Sequence, residues 1–145
     1  MKLSVVLSTQ PAQFQAVAFK GDLTQNIAHI ASWGYDGVEV AVRQPQALDV
    51  DNLLDLTSQF GLAVPAIGTG QAWGEEGLSY TDPSEVVRRA AIERTLAHIP
   101  LAACTGAVII IGLLRGIVRP GVTHAQAMTW LVSALQECCQ AAAQC

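Results

Sequence analysis

The sequence contains few charged residues, and positive charge is the scarcest. Charged residues make up 14% of its 145 residues, hydrophobic residues make up 51%, and the formal net charge is −4. Binding to nucleic acid needs a basic surface. The one basic cluster, Arg88, Arg89 and Arg94, shares a predicted helix with Glu85 and Glu93, and we interpret it as a solvated helix face. We therefore expect no nucleic-acid partner.

A long apolar run is also missing. The longest apolar stretch, residues 107–114, is far shorter than the ~20 residues of a membrane-spanning helix. The apolar run at residues 3–7 is too short to be the core of a secretory signal. We therefore expect no membrane partner and a cytoplasmic location.

Paired cysteines and nucleotide-binding motifs are absent as well. The four cysteines (Cys104, Cys138, Cys139 and Cys145) form no Cys-x-x-Cys pair, so we expect them to be small packing residues rather than metal ligands or a disulfide. Residues 68–74, Gly-Thr-Gly-Gln-Ala-Trp-Gly, have the wrong glycine spacing for a dinucleotide site, and no helix is predicted to begin there. Predicted strands one and three end without an Asp, which disfavours a response-regulator-like domain.

The sequence does contain four successive units of a strand followed by a helix. The predicted strands are residues 3–7, 37–42, 62–67 and 107–111, the last of which should be buried on both faces. The predicted helices begin with capping residues at Asp22, Asp49, Asp82 and Thr123. The third helix has Pro83 at its first position and should be kinked or broken near Pro100.

Right-handed connections between such units make a parallel sheet. A doubly wound sheet usually has five or more strands, whereas only four are visible here. We therefore predict that residues 1–145 form one α/β domain, the N-terminal half of a (β/α)₈ TIM barrel. The long segment 68–81 follows strand three, so it should lie at the rim of the active site, at the carboxyl ends of the strands.

Several motifs resemble the xylose isomerase-like TIM barrels, the sugar phosphate isomerase/epimerase superfamily. They are Gly34-Tyr-Asp-Gly-Val-Glu39, Asp82-Pro83 with residues 88–93, and residues 106–110. Three further stretches are similar to the 5-keto-L-gluconate epimerase subgroup: residues 18–23, 66–72 and 109–116. The similarity covers nearly the whole chain but about half of such an enzyme.

This resemblance implies epimerisation of a keto-sugar acid, of the 5-keto-L-gluconate or D-tagaturonate type, by proton transfer next to the carbonyl. A divalent cation (Mn²⁺, Mg²⁺ or Co²⁺) would stabilise an enediolate while two glutamates move the proton. In the family, the metal ligands and these glutamates lie on strands five to eight. The resemblance therefore assigns no catalytic residue and no metal ligand to this chain, and we expect the chain alone to be inactive.

The resemblance gives the first four units the role of holding the substrate. The candidate substrate-binding residues are Thr9, Lys20, Glu39, Gly68, Gly70, Gln71, Trp73 and Arg115. Ser8, Arg43, Thr69 and Gly112 lie in the same predicted strand-end loops. A cation among Lys20, Arg43 and Arg115 is suited to bind the substrate carboxylate. Glu39 either lines the barrel interior or pairs with a neighbour such as Arg43, and Trp73 either walls the pocket or anchors its loop.

Two other functions compete with the epimerase. One is a non-catalytic half-barrel that acts as a binding or assembly module. The other, a metal-dependent phosphodiesterase like endonuclease IV, is disfavoured because its strand-end loops should be basic. Four units alone would expose two sheet edges and an apolar face, so we also expect the chain to form a homo-oligomer.

Overall fold

A single parallel sheet of four strands organises the computed structural model, which describes residues 1–13 and 17–145. The strands are Ser4–Ser8 (β1), Gly37–Ala41 (β2), Ala63–Gly68 (β3) and Val108–Ile110 (β4). The helices are Leu23–Ser32 (α1), Val50–Gln59 (α2), Gly70–Glu76 (α3), Glu85–Thr105 (α4) and His124–Ala142 (α5). Short 3₁₀ helices occupy Pro45–Ala47 and Gly112–Arg115.

The order of the strands separates the two architectures that the sequence allowed. The spatial order is β1-β2-β3-β4, and each strand is parallel to its neighbour. A doubly wound sheet reverses direction at a switch point between its halves, whereas a TIM barrel adds each strand beside the previous one. The prediction of a TIM-barrel fold, present as four of its βα units, is confirmed.

Local capping fixes three of the helices where the sequence predicted them. The Asp22 carboxylate accepts a hydrogen bond from Gln25 N at 2.8 Å, and Asp49 accepts one from Asn52 N at 3.0 Å. Thr123 and Gln126 form a complete capping box at the start of α5. Each cap satisfies a backbone N–H that the first helical turn leaves without a partner.

The core lies between the helices and one face of the sheet. Alternate strand residues such as Leu7, Val38, Val40 and Ile67 are fully buried and pack in one apolar cluster with Ile27 and Ile30 of α1 and Leu53 of α2. We call the opposite face of the sheet the inner face. Strand register aligns Val6, Glu39, Ala66 and Val108 across this inner face.

Two predictions about helices were wrong, and one alternative for a third is excluded. Helix α3 forms inside the segment that we predicted to be a loop. The N-cap of α4 is Ser84 rather than Asp82, because the Asp82 carboxylate accepts the N–H of Ser84 at 2.9 Å in a turn before the helix. Of the two alternatives at Pro100, a break does not occur, because helix α4 continues through this proline to Thr105.

Strand β4 differs from the prediction of burial on both faces. Val108 is 65% exposed and Ile110 is 37% exposed. The run has the composition of a central barrel strand, but β4 pairs only with β3 within the described sheet. Three cysteines also differ from the expected packing role, because Cys104, Cys139 and Cys145 are exposed, whereas Cys138 is buried as expected.

Candidate functional site

A cavity of about 230 Å³ lies at the carboxyl ends of β2, β3 and β4. We call it the strand-end cavity. Its lining consists of Val6, Val17, Glu39, Ala41, Gly68, Thr69, Gly70, Gln71, Ile110, Gly112 and Leu113. This is the edge of a parallel α/β sheet where binding sites form, because the strand-to-loop connections converge there.

Glu39 is the one charged residue among the described lining residues. It projects from the inner face of β2, between the buried Val38 and Val40 that face the core. No hydrogen bond or ion pair joins its carboxylate to another described residue. A Cβ atom on Gly68 would lie 3.3 Å from Glu39 Oε1, so the glycine leaves room for this carboxylate beside β3.

Two buried polar side chains connect the ends of the strands. Thr69 Oγ1 donates its hydrogen to the carbonyls of Ile110 and Ile111, at 2.8 and 3.1 Å, and so links β3 to β4. Gln71 is 1% exposed, and its Nε2 donates to Ser8 Oγ at 2.8 Å. These contacts hold the start of α3 against β1 and β4.

The Gln71 contact extends through Ser8 to the loop after β2. Ser8 Oγ donates to the carbonyl of Gln10 at 2.6 Å. Gln10 Oε1 accepts from the backbone N–H groups of Arg43 and Gln44, at 3.1 and 2.9 Å. Sequence reasoning missed Gln10, since a single polar residue in a loop gives no signal of such a bridge.

An ion-pair cluster joins the C-terminal end of α3 to the loop after β2 and to α4. Arg43 pairs with Glu75, and its Nε lies 3.7 Å from Glu76 Oε1. Arg94 of α4 donates to both carboxylate oxygens of Glu76, at 2.9 and 2.8 Å, and also to the carbonyl of Arg43. The hydrogen bonds from Arg94 lower the pKa of Glu76 below its ordinary value. Arg94 therefore belongs to this cluster rather than to a solvated helix face.

His98 on α4 is fully buried behind the same loop. Its Nε2 lies 2.9 Å from the carbonyl oxygen of Val42, and its Nδ1 lies 2.7 Å from that of Arg94. Burial lowers the pKa of His98, against the opposing effect of these two carbonyls. These contacts make His98 a buried packing residue between α4 and the loop after β2.

The loop after β4 is fixed by the segment between α3 and α4. Tyr80 N donates to the carbonyl of Leu114 at 3.0 Å. Thr81 Oγ1 lies 3.1 Å from the carbonyl oxygens of both Arg115 and Ile117. Gly116, between these two residues, has φ +83° and packs directly against the hydroxyls of Ser79 and Thr81. The wall of the strand-end cavity at Gly112 and Leu113 is thereby supported from behind.

The structure brings four of the eight candidate residues together. Glu39, Gly68, Gly70 and Gln71 line the strand-end cavity, together with Thr69 and Gly112. The other four candidates do not line it. Thr9 bonds to the carbonyl of Ala41, Lys20 accepts from Asn26 through its carbonyl, Trp73 lies half-buried on α3, and Arg115 is exposed. Of the two interpretations of Glu39, the ion pair with Arg43 does not form. The Arg43 guanidinium instead pairs with Glu75 and Glu76.

The described residues lack the ligand set that a divalent cation requires. Residues 1–13 and 17–145 contain no group of three or more His, Cys, Asp or Glu placed to hold a metal ion. Oxygen-binding cations need several carboxylate or carbonyl ligands, and the strand-end cavity offers the single carboxylate of Glu39. The described residues of this site therefore do not fit a metal ion on their own.

Comparison with known proteins gives the family. The sequence profile described as the xylose isomerase-like TIM barrel matches residues 27–145. The chain belongs to this family. No curated protein sequence matches this xylose isomerase-like TIM barrel chain significantly.

Solved structures similar to this xylose isomerase-like chain include sugar epimerases. Two are structures of D-allulose 3-epimerase from Methylomonas sp., one of them in complex with D-allulose, at 18% and 19% identity and a TM-score of 0.65. Each match covers 99% of this chain and 49% or 48% of the epimerase. The third is 3-keto-D-glucoside 4-epimerase YcjR from E. coli, at 15% identity and a TM-score of 0.64, covering 98% of this chain and 53% of that one.

This xylose isomerase-like chain thus spans about half the length of the epimerases whose fold it shares. Identities this low establish the shared fold and leave the activity to be argued from the site. Among the described residues, no helix is long and apolar enough to cross a membrane.

Proposed function

We propose that residues 1–145 form one domain, the N-terminal half of a sugar epimerase or isomerase, and that this half holds the substrate. The complete barrel would act on a keto-sugar, with a keto-sugar acid of the 5-keto-L-gluconate or D-tagaturonate type as the specific candidate. The reaction would be removal and return of a proton next to the carbonyl. The catalytic groups would come from the other half of the barrel.

The strand-end cavity is the observation that carries this proposal. It combines one unpaired carboxylate, a buried amide and three glycines at the carboxyl edge of the sheet. Glycines let a ligand approach the backbone closely, and polar groups fix its orientation. The D-allulose complex of a neighbour with the same fold supports a sugar as the ligand.

The contacts of the cationic side chains indicate which of them could bind the carboxylate of a keto-acid substrate. Arg43 is held by Glu75 and Glu76, so it is a poor partner for a substrate carboxylate. Lys20 and Arg115 have no ion pair with another described residue, and we propose them as the partners of that carboxylate outside the cavity. A divalent cation (Mn²⁺, Mg²⁺ or Co²⁺) would bind to ligands on the other half of the barrel.

Solvent proton exchange tests the proposed reaction. The chain is incubated in D₂O with D-tagaturonate or 5-keto-L-gluconate, alone and mixed with a polypeptide that carries strands five to eight of a family barrel. We expect deuterium to enter the carbon next to the carbonyl only in the mixture and only with added Mn²⁺, Mg²⁺ or Co²⁺. Both ¹H NMR and product analysis report it. A mixture that forms a complex and still exchanges no proton would refute the epimerase proposal.

A non-catalytic half-barrel is the second candidate. It is favoured by the absence of a metal-binding cluster among the described residues. It predicts sugar binding without proton exchange under every condition of the same assay. The phosphodiesterase is the weaker alternative, because the carboxylate of Glu39 in the strand-end cavity would repel a phosphate.

A further inference from the structure

Gln71 has a buried acceptor that no described residue satisfies. Its Nε2 donates to Ser8 Oγ, and the hydroxyl hydrogen of Ser8 goes to the carbonyl of Gln10. This chain of bonds fixes the orientation of the amide, because the reversed amide would place two acceptors against each other. Gln71 Oε1 is therefore left buried in the lining of the strand-end cavity without a donor. Burial of an unpaired acceptor is unfavourable, so this position favours a ligand that brings a hydrogen-bond donor.

Glu39 provides a second acceptor in the same cavity. Its carboxylate has no hydrogen bond or ion pair with a described residue, and Gly68 leaves space beside it. No Lys, Arg or His is among the described lining residues. The hydroxyl of Thr69 is already directed to the carbonyls of Ile110 and Ile111. The two free acceptors thus lie in a cavity without a cation.

We infer that the strand-end cavity binds the uncharged, hydroxyl-bearing end of a sugar, with hydroxyl hydrogens donated to Glu39 and Gln71. This inference rests on the proposed function for the class of ligand and adds its orientation. A hydroxyl supplies the donors that both residues lack. A carboxylate end has no donor to offer and is repelled by Glu39, so an acidic substrate enters with its carboxylate outside the cavity.

A series of three ligands with one carbon skeleton separates the two ends. D-Glucitol has two uncharged ends, D-gluconate has one, and D-glucarate has a carboxylate at both. Binding to the full 145-residue chain is followed by ¹H–¹⁵N NMR through the amide signals of Gly68 and Gln71. We expect D-glucitol and D-gluconate to bind within about 3-fold of each other and D-glucarate to bind at least about 10-fold more weakly, the loss of about one charge-assisted hydrogen bond.

Variants assign the effect to the two acceptors. Glu39→Gln should weaken D-glucitol binding about 5- to 10-fold and reduce the discrimination against D-glucarate, because the charge is gone. Gln71→Met, similar in size and without the acceptor, should weaken D-glucitol binding about 3- to 10-fold. Asp51→Asn removes the same unit of charge from an exposed position on α2 and should leave all three affinities unchanged.

Three results would overturn the inference. They are D-glucarate binding as tightly as D-glucitol, unchanged D-glucitol affinity in both Glu39→Gln and Gln71→Met, and no shift of the Gly68 and Gln71 signals at saturating D-glucitol. The ligands have no carbonyl next to an exchangeable C–H, so these outcomes are independent of the proton-exchange assay. The inference can therefore fail while the epimerase proposal stands, and the reverse.

Discussion

A methyl group added at Gly116 should destabilise the chain strongly. Its Cβ atom would overlap the hydroxyl oxygens of Ser79 and Thr81 and lie 3.1 Å from Ser79 Cβ. These hydroxyls cannot easily move, because Thr81 Oγ1 is held by the carbonyls on both sides of Gly116. The backbone conformation, φ +83° and ψ −167°, is also one that residues with a side chain rarely adopt.

The magnitude follows from these two effects. The backbone conformation costs about 1–3 kcal/mol for a residue other than glycine, and the overlap adds about 1–3 kcal/mol. The smaller entropy of the unfolded Ala chain offsets about 0.4–1 kcal/mol. We therefore expect Gly116→Ala to lower the free energy of unfolding by about 1–6 kcal/mol, a large part of the ~5–15 kcal/mol typical of a domain.

Urea unfolding followed by far-UV circular dichroism measures this loss. Gly121→Ala is the matched control, because Gly121 also has φ +83° and no atom lies within 4 Å of its added Cβ. The control should lose about 1–2 kcal/mol from its backbone conformation alone. If Gly116→Ala is no more destabilising than Gly121→Ala, the contact with Ser79 and Thr81 does not hold the loop after β4.

Three further predictions concern the ion-pair cluster, the buried histidine and the sheet edges. Arg94→Ala should lower stability by about 1–2 kcal/mol, because Glu76 loses two hydrogen bonds; wild-type stability would contradict this. Because the pKa of Glu76 is lowered, the stabilisation by the Glu76–Arg94 pair is present above pH 4.5 and is lost as the pH falls through the folded-state pKa of Glu76. Arg94→Ala should reduce the dependence of stability on pH in this acidic range. Because the pKa of His98 is lowered, the contribution of its neutral form to stability is fully present above pH 6.5 and is lost as the pH falls towards the folded-state pKa. His98→Gln should remove this pH dependence. An unchanged curve of stability against pH would show that His98 is not its cause. Analytical ultracentrifugation should show self-association through the edges of β1 and β4. Val108→Lys on the inner face should weaken this self-association, whereas Val86→Lys at an exposed helix position should leave it unchanged. A monomer at all concentrations would argue against association through the sheet edges.

Periodicity and capping chemistry were sufficient to predict most of the fold. The alternation of Val38, Val40 and Val42 with Glu39 and Ala41 marks a strand with one face in the core. Asp22 and Thr123 predict the starts of helices, because their side chains accept hydrogen bonds from backbone N–H groups three residues later. These signals are local, so a single sequence contains them in full.

The elements that the sequence did not predict depend on distant partners. Helix α3 begins after a glycine-rich stretch, and its ion pairs are with Arg43 and Arg94, which are far away in the chain. The exposure of Val108 depends on which strand lies beside β4, and its own composition does not determine that. Long-range pairing of this kind leaves no local periodicity to detect.

In the candidate site too, local signals in the sequence were sufficient for some residues, whereas contacts with distant residues could not be predicted. Glu39 was predicted to be unusual because a lone carboxylate in an apolar strand needs an explanation, and it does line the strand-end cavity. Lys20 and Arg115 were chosen because they lie near strand ends, which does not fix where a long, flexible side chain lies. The unpaired acceptor of Gln71 could not be predicted, because it depends on the bonds that Ser8 and Gln10 make with each other.

The order of the strands also determines how the sheet assembles. Each strand pairs with the strand that precedes it in the sequence, so each new pairing closes a single βα connection and costs less entropy than pairing with a strand farther away in the chain. The sheet can therefore grow one unit at a time, with every finished strand serving as the template for the next. At β4 this growth presents an open template whose Val108 is exposed, and such an edge also recruits other chains. Association between chains at this edge is therefore a direct consequence of the strand order.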